Sequence, residues 1–194
     1  MGGTSFYLGD MQPYDTPADL FNNPGYGAGV FARYNRTRHL AFRVNMLYAF
    51  IQGENTGPYV MPTGHDRFET QLGELSVLAE VNFLPFVAGD PETPATVYVM
   101  GGTGAIFFEQ PWRQNFKVRS AQLILGAGLK VNITRRISAG LEWGMRRTAD
   151  ELDGVYLAPG YPVTGIPENR DWYSFTGVTL SFKFRDRSGA HCPD

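Results

Sequence analysis

Residues 40–50, LAFRVNMLYAF, alternate strictly between two kinds of side chain. One set of positions is entirely apolar: Leu40, Phe42, Val44, Met46, Tyr48 and Phe50. The other set is mixed: Ala41, Arg43, Asn45, Leu47 and Ala49. A period of two indicates a β-strand whose two faces meet different surroundings, whereas a helix would repeat every 3.6 residues.

The same alternation recurs along the chain and predicts eight strands. Most are about twice as long as the usual strand of about 5–6 residues, and a tilted strand of about 9–11 residues crosses a bilayer. The predicted strands are Gly2–Leu8, Gly25–Asn35, Leu40–Gly53, Thr70–Phe83, Ala95–Phe108, Arg119–Asn132, Ile137–Arg147 and Trp172–Arg185.

The connections between these strands alternate in length. Residues 35–39 and 132–136 are tight, 85–94 are intermediate, and the other four connections are longer or more irregular. Alternate connections of an up-and-down barrel lie at the same rim, and outer-membrane barrels keep short turns in the periplasm and long loops outside. The pattern predicts an all-β, eight-stranded antiparallel up-and-down transmembrane barrel over residues 1–185. Residues 186–194 are predicted to form a periplasmic tail.

Composition excludes several classes of protein. The 194 residues carry 17 Lys and Arg against 19 Asp and Glu, a net charge of −2, so no basic excess indicates a nucleic-acid partner. A single cysteine excludes an internal disulfide framework and a cysteine-rich zinc site, and no cofactor is expected. Because Met1 is followed by Gly2-Gly3-Thr4-Ser5, without a basic or apolar leader, we expect a cytosolic protein or a trimmed mature start.

The mixed face collects charges and small residues. In a narrow membrane barrel this face would line a lumen with room only for side chains, and opposite charges there could pair. Aromatic residues near strand ends, such as Tyr26, Tyr34, Phe83 and Trp172, are typical of interfacial girdles. In the alternative, a soluble lipocalin-like barrel carrying an apolar ligand, the mixed face would be the solvated exterior. The predicted lumen charges are Arg33, Arg43, Glu74, Glu80, Lys130, Glu142 and Arg146.

Catalytic interpretations of these residues are weaker. Glu80 and Glu142 could form an acid–base pair, but ion pairing with Arg43, Lys130 or Arg146 explains them more simply. The three histidines lie outside the predicted strands, and no Ser/His/Asp constellation is recognisable. We therefore expect a protein that is not an enzyme, with no catalytic, metal or cofactor site.

Several motifs resemble a known family. They are 2–10 (GGTSFYLGD), 29–35 (GVFARYN), 74–83 (ELSVLAEVNF), and above all 140–146 (GLEWGMR) followed by 171–180 (DWYSFTGVTL). They resemble the PorG-like, DUF6089-type outer-membrane β-barrel family of Bacteroidetes, which includes a component of the type IX secretion system. The resemblance implies an anchor or scaffold in the bacterial outer membrane. Its implied partners are outer-membrane lipid and a periplasmic ring made of a lipoprotein and a second ring protein.

The predicted short-turn rim is basic. Arg36, Arg38, Arg135 and Arg136 lie in its two tightest turns. They could contact phospholipid headgroups, or they could dock an acidic patch of the periplasmic ring. The sequence leaves both interpretations open.

Overall fold

The computed structural model describes residues 1–8, 24–54, 67–109, 117–148 and 172–184. The tail at 186–194 and most of the four long loops lie outside these residues. Eight strands close into one barrel in the order β1-β2-β3-β4-β5-β6-β7-β8. Their bounds are β1 Gly2–Leu8, β2 Gly25–Asn35, β3 Leu40–Glu54, β4 Arg67–Asn82, β5 Ala95–Glu109, β6 Lys117–Asn132, β7 Ile137–Thr148 and β8 Trp172–Phe182.

Every neighbouring pair of strands is antiparallel, so the predicted eight-stranded antiparallel up-and-down barrel is confirmed. β3 pairs with β4 from Leu40↔Val81 to Glu54↔Arg67, and β5 pairs with β6 from Ala95↔Val131 to Glu109↔Lys117. β8 closes the barrel on β1, from Gly2↔Val178 to Leu8↔Trp172. Among the described residues, no helix is long and apolar enough to span a bilayer.

The strand bounds differ from the predicted ones by a few residues at the ends. β4 begins at Arg67 and ends at Asn82, where Thr70–Phe83 was predicted. β8 ends at Phe182 rather than at Arg185.

The apolar face of the alternation is outside. Val44, Leu75, Leu125 and Leu141 are 48%, 47%, 57% and 55% exposed. Their sequence neighbours Arg43, Glu74, Ile124 and Glu142 are buried. The barrel is therefore inside-out relative to a soluble barrel, with large apolar side chains around it and charges within it.

Glycines make room for the large side chains of the lumen. A Cβ on Gly128 would lie 2.7 Å from the Tyr98 ring and 2.6 Å from the Leu141 carbonyl oxygen. A Cβ on Gly126 would lie 2.6 Å from the end of Met100. These glycines lie on the mixed face, as predicted, because an eight-stranded lumen cannot hold bulky side chains at every inward position.

The two tightest turns have the same construction. In the turn 36–39, the Thr37 hydroxyl accepts the backbone N–H groups of His39 and Leu40 at 3.1 and 3.0 Å. In the turn 133–136, the Thr134 hydroxyl accepts those of Arg136 and Ile137 at 3.2 and 3.0 Å. The repeated Asn-x-Thr sequence thus produces one turn geometry twice, through local hydroxyl-to-backbone bonds.

Candidate functional site

The barrel lumen holds all seven charged residues that the sequence placed on its inner face. The structure brings them into two clusters, which we call the lower cluster, near the turns 36–39, 83–94 and 133–136, and the upper cluster, nearer the long loops. The lower cluster contains Arg33, Arg43, Glu80, Lys130 and Glu142, and the upper cluster contains Glu74 and Arg146.

Glu80 is the hub of the lower cluster. Its carboxylate lies 2.6 Å from Lys130 Nζ, 2.9 Å from Arg33 Nε and 3.3 Å from Arg43 Nη1. Lys130 also donates to Asn82 Oδ1 at 2.9 Å, so two of its three protons are placed. Since these side chains are almost completely enclosed, each charge depends on its partners rather than on bulk water.

Arg43 joins the two carboxylates that the sequence offered as an acid–base pair. Its Nη1 lies 2.7 Å from Glu142 and 3.3 Å from Glu80. The Tyr98 hydroxyl donates to Glu142 at 3.0 Å. Glu80 is thus held by cations, and Glu142 by a cation and a hydroxyl, which is an ion-pairing arrangement of buried carboxylates.

Glu74 organises the upper cluster. It accepts from Arg146 Nε at 2.9 Å, from the Tyr173 hydroxyl at 2.8 Å and from Ser76 at 2.7 Å. Tyr173 also lies 2.9 Å from Gln122 Oε1. Glu74 and Glu80 are six positions apart on β4, about 20 Å along a strand, so the clusters occupy different levels of the lumen.

The aromatic part of this network was not predicted from the sequence. Lys130 Nζ lies 4.0 Å from the centre of the Tyr98 ring, and Arg146 lies 5.6 Å from that of Tyr173 and 5.4 Å from that of Phe175. Ring faces attract cations, and this attraction grows when water is excluded. Tyr98 on β5 and Tyr173 and Phe175 on β8 occupy inward-facing positions of the alternation, and this was the feature of the sequence that could have predicted their place in the lumen.

Four cations and three carboxylates leave the described lumen with a charge of 4 − 3 = +1. Two apolar groups fill further parts of the described lumen. One group consists of Leu47, Ala49, Ile51, Leu72, Ile106, Tyr173 and Phe175. The other consists of Leu78, Tyr98, Met100 and Ile124.

The turn 83–94, here called the cap, packs against the neighbouring turns of the same rim and buries the Phe86 side chain. Phe86 is 3% exposed, its backbone N–H donates to the Arg38 carbonyl at 2.9 Å, and its ring centre lies 5.9 Å from Lys130 Nζ. Asn132 Nδ2 lies 2.9 Å from the carbonyl oxygens of both Val87 and Thr93. The cap is therefore fixed to the turns on both sides of it.

The cap also divides the basic rim that the sequence predicted. Arg36 and Arg38 lie in the turn on one side of it, and Arg135 and Arg136 lie in the turn on the other. The cap carries the acidic Asp90 and Glu92 between these pairs. The predicted docking residues thus form two basic patches rather than one continuous surface.

Within the described ranges, no group of three His, Cys, Asp or Glu side chains could hold a metal ion.

A family model described as a domain of unknown function (DUF6089) matches residues 1–194. No curated protein matches the sequence. The crystal structure of the N-terminal β-barrel domain of Pseudomonas aeruginosa OprF is similar, with a TM-score of 0.46, 13% sequence identity and 93% of each chain covered.

Proposed function

The chain belongs to the DUF6089 family, and from this premise we propose that it is a non-enzymatic barrel of the bacterial outer membrane. We further propose that it anchors or scaffolds the type IX secretion machinery. The observation that carries the first part is the inside-out arrangement of the barrel. Large apolar side chains such as Leu125 and Leu141 cover its outside, and ion pairs such as Arg146–Glu74 fill its inside.

The exposed apolar side chains on the outside of the barrel, such as Val44, Leu75, Leu125 and Leu141, form what we call the apolar belt. This belt has the height that a bilayer requires. The ten steps from Leu40 to Phe50 of β3 rise about 34 Å along the strand, and a tilt of 35–45° converts this to about 24–28 Å along the barrel axis. Outer-membrane barrels carry an apolar band of about 25 Å. A soluble protein would expose this continuous surface to water, where it would promote aggregation.

Aromatic side chains mark both edges of the belt. Towards the long loops, the Tyr26 and Phe50 rings pack at 4.6 Å, and Arg147 lies 5.5 Å from the Trp172 ring. Towards the short turns, Tyr34 and Phe83 are 55% and 62% exposed. Such rings favour the boundary between hydrocarbon and headgroups.

The assembly role is supported by the resemblance of motifs such as 140–146 to the PorG-like family. With short turns in the periplasm, the two basic patches would face the periplasmic ring, made of a lipoprotein and a second ring protein. Complementary charge would orient the docking of an acidic surface and speed encounter. The long loops would face outwards.

A side-chain-filled lumen argues against a pore. Ion pairs and apolar groups occupy the described interior, and the cap buries Phe86 near Lys130 at one end. Among the described residues, the lumen buries charged side chains such as Arg43, Glu80 and Glu142, which argues against a lipocalin-like carrier of an apolar ligand. We therefore expect no steady large conductance when the purified barrel is added to a planar bilayer, and a stable nanosiemens pore would contradict the plugged interior.

Heat-modifiable gel mobility in detergent tests the membrane barrel directly. A folded outer-membrane barrel should migrate differently before and after boiling, and the full chain should float with lipid vesicles. A chain that stays monodisperse without detergent and binds a fluorescent fatty acid would instead be the soluble carrier.

Co-purification of the ring proteins tests the assembly role. Charge reversal at Arg36, Arg38, Arg135 and Arg136 should reduce their recovery, because it turns both basic patches acidic. Arg147→Glu, at the opposite end of the barrel, is the matched control and should leave recovery unchanged. A separate variant that lacks residues 186–194 tests whether the tail contributes to binding of the ring proteins. Unchanged recovery in the reversed variant and in the deletion would refute docking through this rim.

A further inference from the structure

The short-turn rim carries three groups of charge. The cap places Asp90 and Glu92 between the basic patch of the turn 36–39 and that of the turn 133–136. From this order we infer a docking surface for a protein whose own surface has a basic centre flanked by two acidic areas. The inference rests on the proposed assembly role, and it names the charge pattern that a ring protein would present to this rim.

The acidic side chains of the cap are not engaged by the arginines beside them. Among the described residues, the Asp90 carboxylate accepts the Glu92 backbone N–H at 2.9 Å, and no ion pair joins either carboxylate to a basic patch. Glu92 is exposed, as are Arg36, Arg135 and Arg136. Because these charges make no direct contacts with one another, they are available to a partner.

The tip of the cap is held in place by hydrogen bonds. The Thr93 backbone N–H donates to the Asp90 carbonyl at 3.2 Å, and the Val87 N–H donates to the Thr93 hydroxyl at 3.0 Å, so the turn is closed on itself. Asn132 Oδ1 accepts the Gly89 N–H at 2.9 Å and ties the tip to the neighbouring turn. A fixed arrangement of charges loses little conformational freedom when a partner docks, which favours a partner of matching geometry.

The acidic tip argues against a uniformly acidic partner. Anionic headgroups and an evenly acidic protein surface both attract cations and repel carboxylates. Two carboxylates between the basic patches would therefore weaken binding to either of them. A protein surface with a basic centre gains attraction from the tip as well as from both patches, and like charges would meet in other orientations. The pattern favours a protein partner that docks in one orientation.

Affinity for the purified ring proteins tests the pattern. The full chain is kept in detergent micelles, and its binding to the lipoprotein and to the second ring protein is measured at two salt concentrations. We expect Asp90→Lys combined with Glu92→Lys to weaken binding by about tenfold at low salt, because two attractive contacts become repulsive. The neutral pair Asp90→Asn and Glu92→Gln should lose about threefold. Both losses should shrink at high salt, which screens exposed charges.

Matched variants separate the pattern from overall charge and from the shape of the cap. Gln71→Lys adds a cation at the opposite end of the barrel and should leave the affinity unchanged. Glu92→Lys alone keeps the bond from its backbone N–H to Asp90 and should still lose about threefold. Heat-modifiable mobility checks that each variant is a folded barrel. Equal losses in Gln71→Lys and Glu92→Lys would overturn the inference, because overall charge would then explain them.

The remaining outcomes distinguish the partner and isolate the premise. If the lysine pair tightens binding to the ring proteins, their surface is uniformly acidic, and this inference is wrong while the assembly role stands. If the lysine pair raises binding to dioleoylphosphatidylglycerol vesicles and leaves the ring-protein affinity unchanged, the rim faces lipid headgroups and the inference is again wrong. If the wild-type chain binds neither ring protein, the assembly role itself fails, and this inference fails with it.

Discussion

Glu80→Gln tests whether the buried charges of the lower cluster stabilise the barrel as a unit. The carboxylate has three cationic contacts, at 2.6, 2.9 and 3.3 Å. With charge centres about 4 Å apart and an effective dielectric constant of about 20, each pair interacts by about 4 kcal/mol. Burial of the same charges offsets most of this attraction, so we expect the substitution to cost about 3–5 kcal/mol of unfolding free energy.

A double-mutant cycle with Lys130→Met isolates the charge effect from packing. The single Lys130 substitution should cost less, because Glu80 keeps Arg33 and Arg43. Glu80→Gln alone raises the lumen charge from +1 to +2, and adding Lys130→Met returns it to +1. Its loss should be smaller than the sum of the single losses by about 0.5–3 kcal/mol.

Urea unfolding of the full chain in detergent, followed by tryptophan fluorescence and heat-modifiable mobility, measures these free energies. Glu92→Gln on the exposed surface of the cap is the control and should stay within about 0.5 kcal/mol of the wild type. If Glu80→Gln unfolds at the wild-type urea concentration, the reasoning about buried charge is wrong. Strict additivity of the two substitutions would refute the coupling.

Three further substitutions probe the lumen, the cap and the belt. Gly128→Val should cost about 1–3 kcal/mol in urea unfolding, because its side chain would overlap the Tyr98 ring, and a wild-type midpoint would contradict the crowded lumen. Gly89→Ala should loosen the cap, because Gly89 has φ = 80° and a Cβ there would overlap the Arg135 carbonyl; we expect faster proteolysis within 83–94, and unchanged cleavage would contradict this. Leu125→Arg should lower folding into vesicles by about 2–4 kcal/mol while leaving folding in detergent less affected, and equal yields in vesicles would argue against a lipid-facing belt.

The strands were predictable because their alternation is unusually long. In Leu40–Phe50 each apolar residue faces outwards and each mixed position faces inwards, so a single period predicts both the strand and the two sets of residues that share a face. The inward charges followed from the same parity. The sequence could not tell whether the apolar face met lipid or a ligand, because both kinds of barrel share the pattern.

The pairing of those charges was not predictable. Arg43 meets Glu142 across a sequence separation of 99 residues, through the curvature and registers of several strands. The position of the cap depends on Asn132 and Phe86, whose contacts join different turns. Such contacts appear only once the barrel has closed, and local periodicity carries no information about them.

The closure of β1 on β8 has a consequence for how the molecule assembles. In every other described strand pairing, each strand pairs with the next one along the chain, so the sheet can form by adding its strands in sequence order. Joining Thr4 to Thr176 instead brings together residues 172 positions apart. Contacts of long sequence separation cost the most chain entropy and form slowly. The sealing of the cylinder is thus the expected slow step of biogenesis, and until it occurs the charges of the lumen remain open to water.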